Sequence, residues 1–381
     1  MMHDVVIVGA GPAGLTVAIE SARRGLAVAV LERGHLPIDK ACGEGIMPAG
    51  CAVLSQLGVR DQLTAEDCSP IEGIRYLRAE GPAVSARLPV PGGLGIRRTA
   101  LSAVLAEKAR AVGVCIAEGQ SFESLDRSTS GITVVSQDKR WPARFVVAAD
   151  GLSSPVRRLL GWEKPITLRR YGLRRHFHIT PWTQHVEVYV TSGVEAYVTP
   201  AGSQRIGIAF LWDKDRIEQA ASFPSLLARF PALRDRIGNA PPDSTPRGAG
   251  PLLRRATQLY DDRVALVGDA AGYVDAITGE GLSLALPCAM SLASVLPEVI
   301  AQQRPDPLRR YAQTHRHLFR KYAVLTHAVL GIARRPWLRN VTLDLLCRWP
   351  QRFEQILAAV MRPDPALCLP EHPECLGTMS P

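Results

Sequence analysis

The sequence predicts an α/β fold in which a Rossmann-like, dinucleotide-binding sheet is combined with an inserted antiparallel sheet and with C-terminal helices. Three short glycine-containing signatures, at residues 9–14, 150–157 and 268–272, each follow an apolar, strand-like run. Loops that follow parallel strands meet at one edge of a sheet, so the three signatures are expected to bind one large dinucleotide. Between the second and third signatures, short β-rich runs separated by turn residues predict the antiparallel sheet.

The first signature, GAGPAG, lies between a strand predicted over residues 5–8 and a helix predicted over residues 15–24. Gly9 allows a tight turn, and Gly14 allows the helix to pack closely on the strand. Gly11 carries no side chain, so the backbone can approach a pyrophosphate. The free amides at the start of the helix, beside Ala13, would then face the phosphates.

A second predicted strand, residues 26–31, leads directly into Glu32. Glu32 lies 18 residues beyond Gly14, in the region where an acidic residue binds the ribose hydroxyls of an adenosine. We therefore expect Glu32, with its neighbour Arg33, at the dinucleotide site.

The second and third signatures follow apolar runs at residues 144–149 and 264–267. Asp150 begins a loop that would bring a carboxylate and a bare backbone to the ligand, and Asp269 is placed to hydrogen-bond a polyol chain. The sequence TGEG at residues 278–281 leads into an apolar helix. Amides at its start, at Gly281 and Leu282, would stabilise negative charge on the ligand.

These motifs resemble those of the FAD-dependent oxidoreductases of the p-hydroxybenzoate hydroxylase and geranylgeranyl reductase superfamily. DGLSSPVR (150–157) matches the DGxxSxxR element, GDAAGYVDAITGEGLSLAL (268–286) matches the GD element, and RRTAL (97–101) matches the RxxL start of a helix. KACGEG (40–45) resembles the K-x-CGxG loop of the reductase branch. The resemblance spans about residues 3–330.

The resemblance implies FAD as the cofactor and NAD(P)H as the reductant. It implies that Arg98 contacts FAD and that the loop containing Cys42, Gly43 and Gly45 approaches the isoalloxazine ring. It also implies a glutathione-reductase-type FAD-binding domain made of three separate segments, at residues 1–70, 95–160 and 250–300.

The substrate domain is expected to take residues 71–94 and 161–249. Its predicted strands are 172–180, 185–191, 194–200 and 205–212. In the second of these, Val186, Val188 and Val190 alternate with Glu187 and Tyr189, which predicts a sheet with one buried face. C-terminal helices are expected over residues 301–362, followed by a Pro-rich tail at 363–381.

Several reactions remain open at this point, and we favour an NAD(P)H- and O2-dependent monooxygenase acting on an aromatic, polyketide-like or lipid-like substrate. A reductase of isoprenoid C=C bonds is the alternative, although Tyr197 stands where that branch carries Trp. The proline that the hydroxylases carry before the TG of the third element is replaced by Ala276-Ile277. A flavin halogenase, whose WxWxIP motif is absent, and a non-catalytic flavin-binding protein are weaker alternatives.

The candidate catalytic residues are Glu44, His178 and Tyr197. Glu44 could position or protonate a substrate or point into solvent, and Cys42 beside it could act as an acid or only pack. His178, with His176 on the same strand face, would suit a general base for a phenol, although both could equally pack in the sheet. Tyr197 could line an aromatic pocket.

Composition restricts the partners. The net charge of +9 and the pI near 9.3 permit anionic partners, but no nucleic-acid module is present. We expect an apolar or aromatic small molecule, free or carrier-bound. Five basic residues of a helix predicted over 307–334 form a solvated face or a surface that rests on anionic lipid: Arg309, Arg310, Arg316, Arg320 and Lys321.

The eight cysteines form no CxxC pair and show no metal-ligand spacing. The chain enters a strand almost at once, which leaves no room for a signal peptide, and we expect no apolar run of the length that a membrane span needs. We therefore expect a cytoplasmic protein, or one peripheral to a membrane. The sequence does not predict the oligomeric state.

Overall fold

A computed structural model describes residues 2–78, 83–129, 131–137, 139–217 and 221–361. The tail predicted at 363–381 lies outside the described residues. The strands are β1 (His3–Val8), β2 (Val28–Glu32), β3 (Gly45–Ile46), β4 (Cys68–Ile71), β5 (Gly73–Leu77), β6 (Val84–Arg87), β7 (Gly93–Ile96), β8 (Cys115–Glu118), β9 (Phe122–Arg127), β10 (Ile132–Ser136), β11 (Lys139–Ala148), β12 (Arg170–His178), β13 (His185–Thr191), β14 (Val194–Pro200), β15 (Arg205–Asp213), β16 (Arg247–Ala249), β17 (Arg254–Arg255), β18 (Val264–Leu266) and β19 (Gly272–Tyr273).

The helices fall mainly in the first third and at the end of the described chain. They are α1 (Pro12–Arg23), α2 (Pro48–Gln56), α3 (Arg98–Ala111), α4 (Pro155–Leu159), α5 (Phe223–Leu227), α6 (Pro231–Ile237), α7 (Gly281–Gln302), α8 (Leu308–Ala333), α9 (Pro336–Arg348) and α10 (Pro350–Met361).

The first sheet has the strand order β8-β2-β1-β11-β10-β9, and β18 pairs in parallel with the carboxyl half of β11. Strands β8, β2, β1, β11 and β18 run parallel. The four strands that the sequence predicted before Gly9, Glu32, Asp150 and Gly268 are β1, β2, β11 and β18, so the loops after them meet at one sheet edge. Helices α1, α3 and α7 cover one face with a continuous apolar core.

Helix α7 corrects one expectation. By length and composition it is apolar enough to cross a membrane, which the sequence analysis did not expect, and it is the one such helix among the described residues. In the structure 61% of its most apolar window is buried, and it packs against α1, α2 and α8. This burial is typical of the core helix of a globular domain, which is apolar on most sides.

The second sheet has the order β16-β12-β15-β14-β13-β5-β6 and is antiparallel except for the β13–β5 pair. It takes its strands from residues 73–87 and 170–249. The prediction of one buried face is wrong, because both faces are covered. Helices α5 and α6 pack on one face and α8 to α10 on the other. Glu187 is therefore fully buried, and its carboxylate accepts hydrogen bonds from Trp182 and Tyr189.

A small antiparallel sheet, β3-β7-β4, packs against β14 of the second sheet and against α2 and α7. At Gly95 a Cβ atom would lie 1.8 Å from the carbonyl oxygen of Pro200. Only glycine permits this backbone contact, which holds the small sheet close to the end of β14. The boundaries between the predicted domains stay a prediction.

Candidate functional site

The three signatures line one cavity together with residues of the second sheet. The first sheet and its loops contribute Gly11, Pro12, Ala13, Ala149, Gly151, Leu152, Val267, Gly268 and Asp269; residues 40–47 contribute Lys40, Ala41, Cys42, Gly43, Glu44, Gly45 and Met47; and the second sheet contributes Gly172, Leu173, Arg174, Val186, Tyr197, Thr199, Ala209, Phe210 and Leu211. The lining is completed by Arg98, Ala249, Leu252, Tyr273, Ala276, Gly279, Gly281, Leu282 and Ala285. One end of the cavity is thus built of loop backbone, and the other of mostly apolar sheet side chains.

The glycines of the first signature have the geometry that the sequence analysis expected. Gly9 has φ of +106°, which favours glycine. A Cβ atom on Gly14 would lie 2.0 Å from the carbonyl oxygen of Gly9, so helix α1 approaches the preceding loop as closely as its backbone allows. Gly11 precedes the helix, and no side chain caps it. A Cβ atom there would meet only the Arg98 guanidinium, at 3.9 Å.

Arg98 is 6% exposed and lies at the first position of α3. Its Nη2 is the nearest group to the Gly11 backbone, and its Nε is buried without a hydrogen-bond partner among the described residues. A buried guanidinium donor of this kind is unsatisfied unless it meets an acceptor. Together with the free amides that begin α1, it forms a cradle that suits a pyrophosphate.

Glu32 lies at the end of β2 and joins the first signature to the next turn. Its Oε2 accepts a hydrogen bond from the Ala10 amide at 2.9 Å, and its Oε1 accepts one from the Gly34 amide at 3.0 Å. Each carboxylate oxygen retains a lone pair for a ribose hydroxyl. Arg33 is exposed beside it. Ribose binding by either residue stays a prediction.

The second and third signatures are joined through Arg157, a residue of the DGxxSxxR element for which the sequence analysis gave no role. Arg157 is fully buried. Its Nη1 donates to the carbonyl oxygens of Asp269 and Ala270, and its Nη2 donates to Leu152 and to the Glu163 carboxylate. The guanidinium therefore fixes the GD loop against the DG loop.

Asp150 has mainly a local structural role in the described residues. Its Oδ2 accepts from the Val156 amide at 3.0 Å at the start of α4, while its Oδ1 is buried without a partner. Burial raises the pKa of Asp150, although the hydrogen bonds of Ser154 and Val156 oppose the shift. Asp269, by contrast, is partly exposed to the cavity, 4.0 Å from Lys40 Nζ.

Glu44 adopts an unusual backbone conformation, with φ of +60°, and its side chain is only 2% exposed. The alternative that it points into solvent is wrong. Its Oε1 accepts from the Arg98 amide at 2.9 Å and from Arg97 at 3.2 Å, and its Oε2 is hydrogen-bonded to His176 Nε2. Burial alone would raise the pKa of Glu44, but the His176 hydrogen bond and the neighbouring arginines hold it below its ordinary value.

His178, the predicted general base, does not reach the cavity. It is exposed at the last position of β12, whereas His176, two residues earlier on the same face, is fully buried. The ring of His176 lies between Glu44 and Ser244. Burial lowers the pKa of His176, although the Glu44 carboxylate opposes the shift. The two histidines lie two apart on one strand, as predicted, but His178 is paired with Arg205 at the end of that strand and is not among the cavity-lining residues.

Tyr197 lines the cavity and is 8% exposed. Its hydroxyl donates to the carbonyl oxygen of Ile277 at 3.1 Å, within the loop that leads to α7. Burial raises the pKa of Tyr197 well above its ordinary value. The residue thus holds the third signature's loop against the second sheet as well as forming cavity wall.

Helix α7 begins at Gly281, and the amides of Gly281 and Leu282 at the cavity have no partner within the helix. Glu280 precedes them, and burial raises the pKa of its carboxyl group to about 7. The sequence analysis did not assign Glu280. Its position within the TGEG sequence, directly before the helix, was the signal that could have identified it as a residue of the site.

Comparison with known proteins identifies the family. A model of the FAD binding domain matches residues 2–326. The chain belongs to this FAD-binding family. It is an FAD-dependent oxidoreductase, as the motifs indicated, and the cradle at Gly11 and Arg98 fits the cofactor.

The curated relatives catalyse different reactions. The chain is 28% identical over 314 residues to a menaquinone reductase from Mycobacterium tuberculosis, covering 77% of this chain and 76% of that protein. It is 27% identical to digeranylgeranylglycerophospholipid reductase 1 from Methanopyrus kandleri, covering 84% of this chain and 88% of the relative. A rifampicin monooxygenase from Streptomyces venezuelae is also 27% identical, over 83% of this chain and 68% of its own length.

Solved structures support the fold. A flavoprotein/dehydrogenase from Cytophaga hutchinsonii superposes with a TM-score of 0.82 at 17% identity, covering 99% of this chain and 95% of that one. The halogenase PltM, solved with phloroglucinol and FAD, superposes with a TM-score of 0.77 at 17% identity, covering 96% and 89%. The Rossmann-like FAD-binding fold with additional sheets and C-terminal helices is therefore shown.

The carbonyl-rich and amide-rich end of the cavity is the part that would hold FAD. Gly11, Ala13 and Arg98 would bind the pyrophosphate, Glu32 the ribose, and Gly281 and Leu282 the ring edge. Among the described residues, no three His, Cys, Asp or Glu side chains come together as a metal site.

Proposed function

We propose that this FAD-dependent oxidoreductase reduces a C=C bond of an apolar substrate, with NAD(P)H as the reductant. The observation that carries the proposal is that a thiol lines the cavity, whereas the buried carboxylate beside it, that of Glu44, is already held by His176, Arg97 and the Arg98 amide. Cys42 lines the cavity in the KACGEG loop, and among the described lining residues there is no histidine. Saturation of a C=C bond needs a proton donor, whereas hydroxylation of a phenol is assisted by a base.

Cys42 has the properties of a proton donor. Burial raises the pKa of its thiol, while the charge of Arg98 opposes the shift, so the group is protonated at neutral pH. Its Sγ accepts a hydrogen bond from the Glu44 amide at 3.3 Å, which leaves the S–H free to point into the cavity. Glu44 itself is held by His176 and by the arginines, and we assign it a positioning role.

FAD held at the loop end of the cavity would, once reduced by NAD(P)H, supply the hydride for one carbon of the double bond. The Cys42 thiol gives its proton to the other carbon, the π bond is lost, and the thiolate then regains a proton from water. The apolar wall formed by Val186, Leu211 and Leu252 suits an isoprenoid-like chain, which could arrive free or on a carrier.

The direct test is an anaerobic single turnover. The reduced holoprotein is mixed with an unsaturated polyprenyl substrate, such as geranylgeranyl diphosphate or a menaquinone, in the absence of oxygen. We expect the absorbance of oxidised flavin to return, together with a product that has gained two hydrogens by mass spectrometry. Flavin that stays reduced with every such substrate contradicts the proposal.

Substitution of Cys42 separates the two half-reactions. Cys42→Ala should leave flavin reduction by NAD(P)H unchanged and slow substrate saturation by about 10²-fold or more, the usual contribution of a general acid. Cys115→Ala, which removes an exposed thiol of β8, is the matched control. Equal saturation rates in both variants would show that Cys42 is only packing.

A monooxygenase is the second candidate, and it is the one that the sequence favoured. The DG element and the 27% identity to rifampicin monooxygenase support it. Labelled dioxygen distinguishes the two reactions, because a monooxygenase transfers one labelled oxygen atom to its product and a C=C reductase transfers none.

A further inference from the structure

Helix α9 has an exposed apolar stripe that the fold does not bury. Trp337, Val341 and Leu345 follow one another in α9 at a spacing of four residues, and Trp349 lies between α9 and α10. Their exposed fractions are 67%, 47%, 42% and 58%. Residues four apart lie on one side of a helix, so the first three side chains share one side of α9. Together with Trp349 they are here called the α9 stripe.

The C-terminal helices that carry the α9 stripe are strongly basic as a segment. Residues 308–361 contain ten Lys and Arg but only two Asp and Glu, a formal charge of +8 out of +9 for the whole chain. One of the two acids, Asp344, forms an ion pair with Arg78 at 2.7 Å. Arg348 lies between Trp337 and Val341 around the helix, and Arg352 follows on α10. The two arginines are exposed.

The opposite side of α9 is close to the cavity. Leu343 is buried in the apolar cluster that contains Leu152, Tyr197 and Leu252, and all three of these line the cavity. Helix α9 therefore lies between the α9 stripe and the apolar cluster that forms part of the cavity wall.

We propose that the α9 stripe docks on the surface of an anionic lipid bilayer. Exposed Trp and aliphatic side chains beside arginines are the composition of a helix that lies in a membrane interface. The charge favours this occupant over a second copy, because two stripes of the same positive sign repel each other when they pair. The surface does not depend on which reaction occurs in the cavity, but it would hold a lipid-soluble substrate on the side of the molecule where the apolar cluster reaches the cavity wall.

Vesicle flotation of the FAD-loaded full chain tests the proposal. The vesicles are phosphatidylcholine alone and phosphatidylcholine mixed with phosphatidylglycerol. We expect the wild-type chain to float with the anionic vesicles, to float much less with the neutral ones, and to be released by salt. The double variant Trp337→Ser/Trp349→Ser should lower the partition coefficient by about tenfold or more, given the apolar area removed.

Two further variants make the result specific. Arg348→Glu/Arg352→Glu should weaken binding to anionic vesicles and leave the weak binding to neutral vesicles unchanged. Leu159→Ser/Ile166→Ser removes apolar side chains of similar exposure outside the C-terminal helices and should behave as the wild type. FAD content shows that each variant is folded.

Three outcomes would overturn the proposal. One is a wild-type chain that floats with neither vesicle. Another is flotation that Trp337→Ser/Trp349→Ser does not change. The third is a wild-type dimer, detected by light scattering, that dissociates in this variant while vesicle binding is absent, which would make a second copy the occupant.

Discussion

Gly14 lies where helix α1 approaches the loop before it most closely, and its replacement is the sharpest test at the scale of one residue. Gly14→Ala would place a methyl group 2.0 Å from the Gly9 carbonyl oxygen, so the helix must move away. We expect a loss of about 2 kcal/mol or more in the free energy of unfolding and a lower FAD content, measured by denaturant titration and flavin absorbance.

The control is the same substitution at Gly331, inside helix α8. A Cβ atom there meets only Arg335 Nη1, at 3.8 Å. Gly331→Ala should therefore stabilise the protein by about 0.5 to 1 kcal/mol, as alanine does within a helix. A destabilising Gly331→Ala, or a neutral Gly14→Ala, would contradict the close approach.

His315 gives a pH-dependent prediction. It is buried in α8 and stacks on Phe319, and burial lowers its pKa to about 4 from an ordinary value of 6.5. The unfolded chain therefore binds a proton between these values that the folded chain does not bind, so this contribution to stability is complete above pH 6.5 and is lost as the pH falls towards 4. The loss at pH 5 should be about 2 kcal/mol.

The comparison variant is His315→Phe, which keeps a ring beside Phe319 and removes the proton-binding site. Its free energy of unfolding should change less between pH 7 and pH 5 than that of the wild type. Parallel pH curves for the two proteins would show that His315 is protonated in the folded state.

The roles of single residues were the least predictable from the sequence. The positions of Gly9 and Gly14 were predictable because a turn and a close approach are local. The sequence left Glu44 undecided and placed His178 wrongly, because their surroundings depend on contacts between residues far apart in the chain, such as the hydrogen bond between Glu44 and His176, 132 positions apart. No local pattern distinguishes His176 from His178.

At the scale of elements, the positions of the strands were predicted better than the burial of the two faces of their sheet. The predicted runs 185–191 and 194–200 coincide with β13 and β14, because alternation and turn residues are visible in the sequence. The burial of Glu187 could not be predicted from the sequence of β13, because its hydrogen-bond partners Trp182 and Arg236 lie outside the strand. The second sheet is covered on both faces only once α5 and α6 fold onto it.

Arg157 connects elements that are far apart in the chain, and its loss should separate them. Arg157→Met keeps an unbranched apolar chain but leaves the carbonyl oxygens of Leu152, Asp269 and Ala270 without their donor. We expect a loss of about 3 kcal/mol in stability and weaker FAD binding, measured by fluorescence titration of the apoprotein with FAD. Arg157→Lys retains the positive charge but lacks the planar set of donors of a guanidinium. Its stability and its affinity for FAD should therefore lie between those of Arg157→Met and those of the wild type.

At the scale of the whole molecule, the C-terminal helices are part of the core. Leu357 of α10 is buried in the same apolar cluster as Val186 and Tyr197 of the second sheet, whereas its neighbour Ile356 is 47% exposed. Leu357→Ala should cost about 2 to 4 kcal/mol, and Ile356→Ala less than about 0.5 kcal/mol. Thermal unfolding of both variants checks the difference, and equal effects would show that α10 is not packed as described.

The order in which the chain contributes strands to its sheets predicts how the protein responds to cleavage of one peptide bond. The first sheet takes strands from three separate stretches, the second from two, and the small sheet from residues on both sides of β5 and β6. A single break in a loop between β6 and β12 leaves each fragment with incomplete first and second sheets, whose missing strands belong to the other fragment. Nicked protein should therefore stay assembled until it denatures, and two separately expressed halves should recover flavin only when they fold together.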